Sequence, residues 1–425
     1  MISIVALIAE LLLLIAIKSI GITINDIGVS ALILGFSISF FASVQRNRIL
    51  RECKLQLLLG YFLRIFFLYF DLFGRNIFVL PNSGADTEMF YVGSVYYMNY
   101  GGSTRTYFPL VMGTLFRLIG SNRLYNQFLL MLLSMVSLCL LVYMLSELGL
   151  SREQKIKVVG ITALLPNLAI LSSVFMRESL VAVFVTLSIY FFVLWIQRKR
   201  ELFYILALIM ILPASLMHSG AAGILPGYLA IRLIYDKNTK TIKMKFTNLF
   251  VAIVLAIGVG YVFINYGDFL LSKLGNVDSL EDIANMNDMA ASSYVRYVGN
   301  SNTIQNVIIY TVPRIAYFLY SPFPWQWRGI ADYIAFFFSS TFYLVATWST
   351  INCLINRRNP HRNMVVIFSI IALTTVFVFG WGVSNSGTAV RHREKLTMLF
   401  AVIWALGSEG RRSWLHVRAG NMRLF

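Results

Sequence analysis

The chain carries little charge, little cysteine and none of the signatures of nucleotide or zinc chemistry. Only 13% of its 425 residues are Asp, Glu, Lys or Arg, while 58% are hydrophobic and mean hydropathy is +0.72. Soluble domains carry about a quarter charged residues, so a soluble globular protein is excluded. Three cysteines, Cys53 in a basic loop and Cys139 and Cys353 in apolar runs, form no disulfide framework and no zinc-type spacing. No P-loop, GxSxG elbow or dinucleotide fingerprint is present, so nucleotide-driven chemistry finds no support. Acidic residues are scarce, 19 against 36 basic ones, for a net charge of +17. The basic residues stand in short clusters between apolar runs, the pattern of topology determinants facing anionic lipid rather than of a nucleic-acid surface.

What is present is a succession of apolar runs of roughly 20 residues, each long enough as a helix to cross about 30 Å of hydrocarbon. The expectation is an all-α, polytopic integral membrane protein forming one membrane domain over residues 1–425. About twelve transmembrane helices are read, near 2–19, 27–44, 55–73, 124–146, 157–175, 179–196, 202–217, 220–235, 247–265, 331–355, 363–382 and 394–409. The first run has no basic n-region and no small-residue cleavage site, so it reads as a retained helix. Clusters around Arg46, Arg152, Arg198, Lys237, Arg357 and Arg411 fall on one face, which the positive-inside rule makes cytoplasmic, with both termini. Two long loops then face outward, Gly74 to Arg123 and Tyr266 to Gly329. The run Tyr107 to Ile119 is too short to span and reads as an interfacial helix, as does the short apolar helix bearing Arg314. Gly223 and Gly227 fit a small-xxx-small pattern and read as a packing or bend feature. No internal repeat of the transporter kind is evident.

The outer face collects the residues that can carry chemistry. Asp86 and Glu88 stand in Gly84-Ala85-Asp86-Thr87-Glu88, where a carboxylate can serve as general base or hold a divalent cation, with Tyr91 nearby to stack on a sugar. A D-x-E sequence also occurs in plain solvated loops. Arg177 beside Glu178, and His218 before Ser219-Gly220, end apolar runs at one membrane edge. Alone, the first pair reads equally as a surface ion pair and the second as a helix cap. Arg391-His392-Arg393 is basic where positive charge is disfavoured, and an anionic phosphate is the economical partner for such cations, Arg314 among them.

With these residues in view, the chain resembles the Wzy-type and EpsG-like polymerases of bacterial surface polysaccharides. The likeness rests on P-x-x-x-x-x-S-S-x-x-x-R-E-S-L from Pro166 to Leu180, followed after a basic turn by L-P-A-S-L-M-H-S-G-A from Leu212 to Ala221. Asp86 in the first outer loop, YFPL at Tyr107, LFRLIG at Leu115, SPFPWQ at Ser321 and VRHREKL at Val390 also resemble multi-span GT-C glycosyltransferases. Together these cover roughly half the chain. Glu178 departs from the pattern, since many relatives place a neutral amide beside the Arg.

The resemblance implies a GT-C-like fold in the bacterial cytoplasmic membrane. The substrate it implies is an undecaprenyl-diphosphate-linked oligosaccharide used in O-antigen, capsule or exopolysaccharide synthesis, with a flippase and a chain-length regulator as partners. The reaction needs a carboxylate to take the acceptor hydroxyl proton and cations to stabilise the departing diphosphate. It implies Asp86 as the base with Glu178 as rival, and Arg177, His218, Arg314, Arg391 and Arg393 at the diphosphate or its acceptor. Glu88 and Tyr91 fall to the acceptor sugar. No organic cofactor or metal ligand set is implied, with a divalent cation left open. Two other readings stand beside it: a transferase taking one sugar from a polyprenyl phosphate, and a lipid-linked oligosaccharide flippase.

Overall fold

The computed structural model describes residues 2–102, 106–236, 241–242, 304–356, 359–383 and 385–421. The span expected at 247–265, the acidic start of the second long loop, and Arg105, Lys237, Lys240, Lys243, Lys245, Arg357, Arg358 and Arg423 lie outside the described residues. The protein is an all-α polytopic helical membrane protein. Among the described residues seven helices are long and apolar enough to cross a membrane, or eight if a bent pair counts as one span. The chain divides into two compact units, Met1–Leu187 and Ser188–Phe425.

The first unit holds α1 (Ile2–Ser19), α2 (Asp26–Arg46), α3 (Lys54–Phe73, preceded by a 3-10 turn), α4 (Ala85–Tyr100), α5 (Tyr107–Ile119), α6 (Arg123–Glu147), α7 (Arg152–Leu164), α8 (Pro166–Ser173) and the first half of α9 (Glu178–Arg198). Side-chain caps start several of them: Asn25 accepts from Gly28 N, Asn122 from Tyr125 N and Ser151 from Gln154 N. The long loop from Gly74 is mostly the helical hairpin α4–α5. Gly113 lets the two helices touch, since a Cβ there would lie 2.6 Å from the Ser94 carbonyl oxygen.

The expected single span at 157–175 is instead a pair bent by 55° between α7 and α8. Pro166 has no N–H to donate and keeps Leu165 out of the helical region, at φ −59° and ψ 116°. The break leaves carbonyls of the last α7 turn without helical donors. Arg64, fully buried on α3, repairs this: its Nη1 donates to Ala163 O (2.8 Å) and Gly60 O (2.9 Å), and its Nε to Ser134 Oγ (3.1 Å). Gly60 permits the approach, because a Cβ there would stand 2.8 Å from Ala163 Cβ.

The second unit holds α10 (Glu201–Met217), α11 (Ile224–Ile234), a two-residue antiparallel ribbon (Tyr235–Asp236 with Thr241–Ile242), α12 (Ile304–Tyr320), α13 (Ile330–Ile334), α14 (Thr341–Ile355), α15 (Arg362–Trp381), α16 (Ser386–Arg393) and α17 (Thr397–Asn421). A π-helical turn, Ala335–Ser340, joins α13 to α14. The spans read at 202–217 and 220–235 are shorter apolar helices. At about 1.5 Å per residue, the 17 residues of α10 reach about 26 Å, and a 3-10 turn at Ser219–Gly223 leaves α11 with 11. Gly223 and Gly227 are packing glycines: a Cβ at Gly227 would meet Ile371 Cα at 2.7 Å, and one at Gly223 would meet Val378 on the same helix, α15, at 3.0 Å.

Candidate functional site

In the first unit the polar residues gather where α3 ends. Asp71 sits on its last turn, fully buried, and the helix stops at Gly74, so that Arg75 folds back over the turn. Arg75 Nε donates to Asp71 O (2.6 Å), its Nη2 lies 3.4 Å from both Asp71 carboxylate oxygens, and its Nη1 reaches Glu88 Oε1 at 2.5 Å. Ser83 Oγ donates to Asp71 Oδ1 (2.5 Å) and Gln127 Nε2 to Asp71 Oδ2 (2.8 Å). Gln127 also donates to the carbonyl of Ser173, tying α6 to the end of α8.

Glu88 is the second anchor. Arg123, the first residue of α6, grips it with both η nitrogens, Nη1 to Oε2 at 2.7 Å and Nη2 to Oε1 at 2.9 Å. These bonds, with those of Arg75, pull the Glu88 carboxyl from the usual 4.5 down to about 2. Two carboxylates and two guanidinium groups thus form one network. Asp86 stands exposed on the same first turn of α4, where a negative charge is favoured at a helix start. Gly84, at φ 122°, makes the chain reversal that starts this helix, a conformation open to glycine.

Tyr91 lies inside the same region. Its hydroxyl donates to Ser121 O (2.7 Å), Arg123 Cζ stands 5.1 Å above its ring, and Phe175 meets it edge-on at 5.5 Å. Phe175 immediately precedes Met176 and Arg177, and the Arg177 guanidinium lies 5.8 Å from the Phe90 ring centre. Arg177 is half-buried, and Glu178 is buried as the first residue of α9. The first unit therefore brings Glu88, Tyr91 and Arg177 around one aromatic cluster, with Asp86 one helical position from Thr87, whose hydroxyl holds the start of α4.

The second unit holds the remaining residues. His218 ends α10 and His392 lies on α16, with their Nε2 atoms 3.0 Å apart and rings at 78°. At that distance one Nε2 carries hydrogen and the other accepts it, so the pair is able to pass a proton. Phe379 packs on both rings, at 5.2 Å from His218 and 5.7 Å from His392. Arg391 is half-buried beside them on α16.

Arg393 is fully buried and points its donors at protein: Nε to Ser339 Oγ (3.0 Å), Nη2 to Ser340 Oγ (3.1 Å), and Nη1 to Leu319 O (2.9 Å) and Ser321 O (2.5 Å). It closes the C-terminal end of α12, where carbonyls lack helical donors. Arg314, buried on α12, donates from Nη1 to Val383 O (3.3 Å) and lies 4.9 Å from the Trp381 ring centre. Arg177 and Glu178 belong to the first unit and His218 to the second.

Sequence reasoning passed over Asp71, Arg75, Arg123 and Gln127 as site members, and Arg64 altogether; it placed His392 in the basic cluster without its His218 partner. One signal was there: Arg64 and Asp71 are ionisable residues seven apart inside an apolar run, hence on one face of a helix, and charge inside a span is costly unless used. Among the described residues no group of three His, Cys, Asp or Glu side chains is disposed to hold a metal ion. No protein-family model matches this chain, and no curated protein or solved structure does either.

Proposed function

We propose that the protein is a glycosyltransferase that polymerises undecaprenyl-diphosphate-linked oligosaccharide repeat units at the outer face of the bacterial cytoplasmic membrane, with both termini cytoplasmic. The observation that carries this reading is the network of Asp71, Arg75, Glu88 and Arg123 at the end of a membrane-length helix, beside Asp86 and Arg177. It joins the two things the transfer needs, carboxylates and guanidinium forks, at the edge of an apolar bundle. In the reaction the acceptor hydroxyl attacks the anomeric carbon of the growing glycan. The bond to the diphosphate breaks, and a carboxylate takes the hydroxyl proton.

Asp86 is assigned as the base because it is the exposed carboxylate of the group, Asp71 being buried and Glu88 half-buried. Those two carboxylates hold the frame. Within the first unit, Arg177 is assigned to the diphosphate. Arg314 and Arg393 donate to backbone carbonyls of neighbouring segments, Val383 O for the first and Leu319 O and Ser321 O for the second, and are assigned to support rather than contact.

The test is the product. Lys cannot reproduce the bidentate Arg fork, so Arg177→Lys is expected to lose nearly as much polymer as Arg177→Ala. A crippled polymerase leaves single complete repeat units on lipid where a ladder stood. A ladder of normal length built from repeats lacking one sugar, seen by mass spectrometry of the lipid-linked pool, points instead to a single-sugar transferase.

A further inference from the structure

Where α1 ends, the first unit forms a half-open cleft of about 690 Å³, within the range of roughly 300 to 1,000 Å³ typical of small-ligand sites. Its lining has two characters. Leu14, Ile17 and Ile119 are apolar, while Lys18, Arg117 and Arg123 contribute three cations.

Two of these cations, Lys18 and Arg117, are held in place without being neutralised. Lys18 Nζ donates to the carbonyls of Phe116 and Arg117. Arg117 Nε donates to Met98 O (2.9 Å) and its Nη2 to Tyr97 O (2.6 Å). These bonds occupy two of three ammonium donors and two of five guanidinium donors, and a carbonyl brings no net charge. Lys18 and Arg117 thereby stand over the C-terminal ends of α5 and α4 with donors to spare.

Arg123 is paired with Glu88, and its buried Nε has no hydrogen-bond partner among the described residues. The facing carboxylates are Glu88, which Arg75 shares, and Asp26, which accepts from Asn122 Nδ2 at 2.8 Å. The balance around the cavity stays positive.

The approach to it is apolar. On α1 and the turn after it, Leu12 (60% exposed), Ile15 (40%), Ile20 (70%) and Ile22 (55%) form an outward hydrophobic surface, and Ile22 itself lines the cavity. A ligand satisfying both characters is an amphiphile with a phosphate head.

We propose that this cavity binds the phosphate headgroup of an anionic lipid, whose acyl chains lie along α1. The site goes beyond the polymerase reading and does not rest on it: Arg123 is shared with the Asp71 network through Glu88, but Lys18 and Arg117, the two cations tested below, take no part in it.

The experiment uses the full chain in phosphatidylcholine nanodiscs, titrated with dioleoyl phosphatidate and read by native mass spectrometry, with inorganic phosphate and diphosphate as competitors. Retention of phosphatidate over phosphatidylcholine is expected. The Lys18→Gln, Arg117→Gln double variant is expected to weaken it by about tenfold or more, since two charge-assisted contacts are lost. Thr23→Trp keeps all three cations but fills the cavity, and is expected to weaken it comparably without lowering the melting temperature.

Failure of millimolar phosphate to compete supports the lipid source. Competition by free phosphate or diphosphate as effective as phosphatidate overturns that source in favour of a soluble anion. No preference for phosphatidate over phosphatidylcholine, or unchanged affinity in both variants, overturns the site. Because the readout is binding and not polymer, these results are distinct from failure of the polymerase reading.

Discussion

Replacing Glu88 by Gln isolates the electrostatic content of the network at the end of α3. The amide keeps the size of the side chain but removes the charge that Arg123 holds at 2.7 and 2.9 Å and Arg75 at 2.5 Å. The Glu88 carboxyl is drawn from 4.5 to about 2, with the Arg123 hydrogen bonds the largest cause. Full linkage over that interval corresponds to about 3 kcal/mol. The Glu88 side chain is 42% exposed, however, and solvent screening reduces the expected contribution to about 1 kcal/mol. Because the folded-state value lies below the unfolded one, this stability is fully present above about pH 4.5 and is lost as pH falls through about 2. Thermal unfolding in detergent, followed by intrinsic fluorescence from pH 7 to pH 2.5, measures it. Glu88→Gln should melt a few degrees below the wild type at pH 7 and at pH 5.5, and the gap should narrow below pH 4.5. A gap that stays constant down to pH 2.5, or no gap at pH 7, refutes the assignment of Glu88 to a charged clamp.

Three further outcomes follow from the same geometry. Asp71→Ala removes the acceptor of Ser83 and Gln127 and one partner of Arg75. It should cost about 3 kcal/mol by the same melting assay, whereas Asp71→Asn, which keeps an acceptor oxygen, should cost less and still abolish polymer. Gly60→Ala forces a methyl against Ala163 and should destabilise by about 1 to 3 kcal/mol; Ala163→Gly in the same chain should recover most of that loss, and additive losses would contradict the α3–α7 contact. Asp86→Asn should lower the rate of polymer synthesis by about 10² to 10⁴ while leaving melting temperature and membrane level unchanged. If Asp86→Asn is fully active and Glu178→Gln is not, the base is Glu178.

The membrane class, the helices at Ile2–Ser19, Asp26–Arg46, Arg123–Glu147 and Arg362–Trp381, and the short helix Tyr107–Ile119 were legible in the sequence, because apolar length and local capping are properties of neighbouring residues. The bend at Leu165 was also written locally, in Pro166, yet hydropathy alone counts the apolar residues on either side as one span. What only the tertiary structure decided is which polar side chains meet. Asp71 finds Gln127, Arg123 finds Glu88 35 residues before it, and His218 finds His392 174 residues later. Such partners are set by how helices pack, which no local window contains. The same holds for Arg393: a basic cluster in sequence reads as an anion site, whereas its burial against the carbonyls ending α12 turns that cation toward the protein's own backbone. Arg64 is the converse case, a charge within an apolar run whose purpose becomes visible only once the broken helix beside it supplies the carbonyl it satisfies.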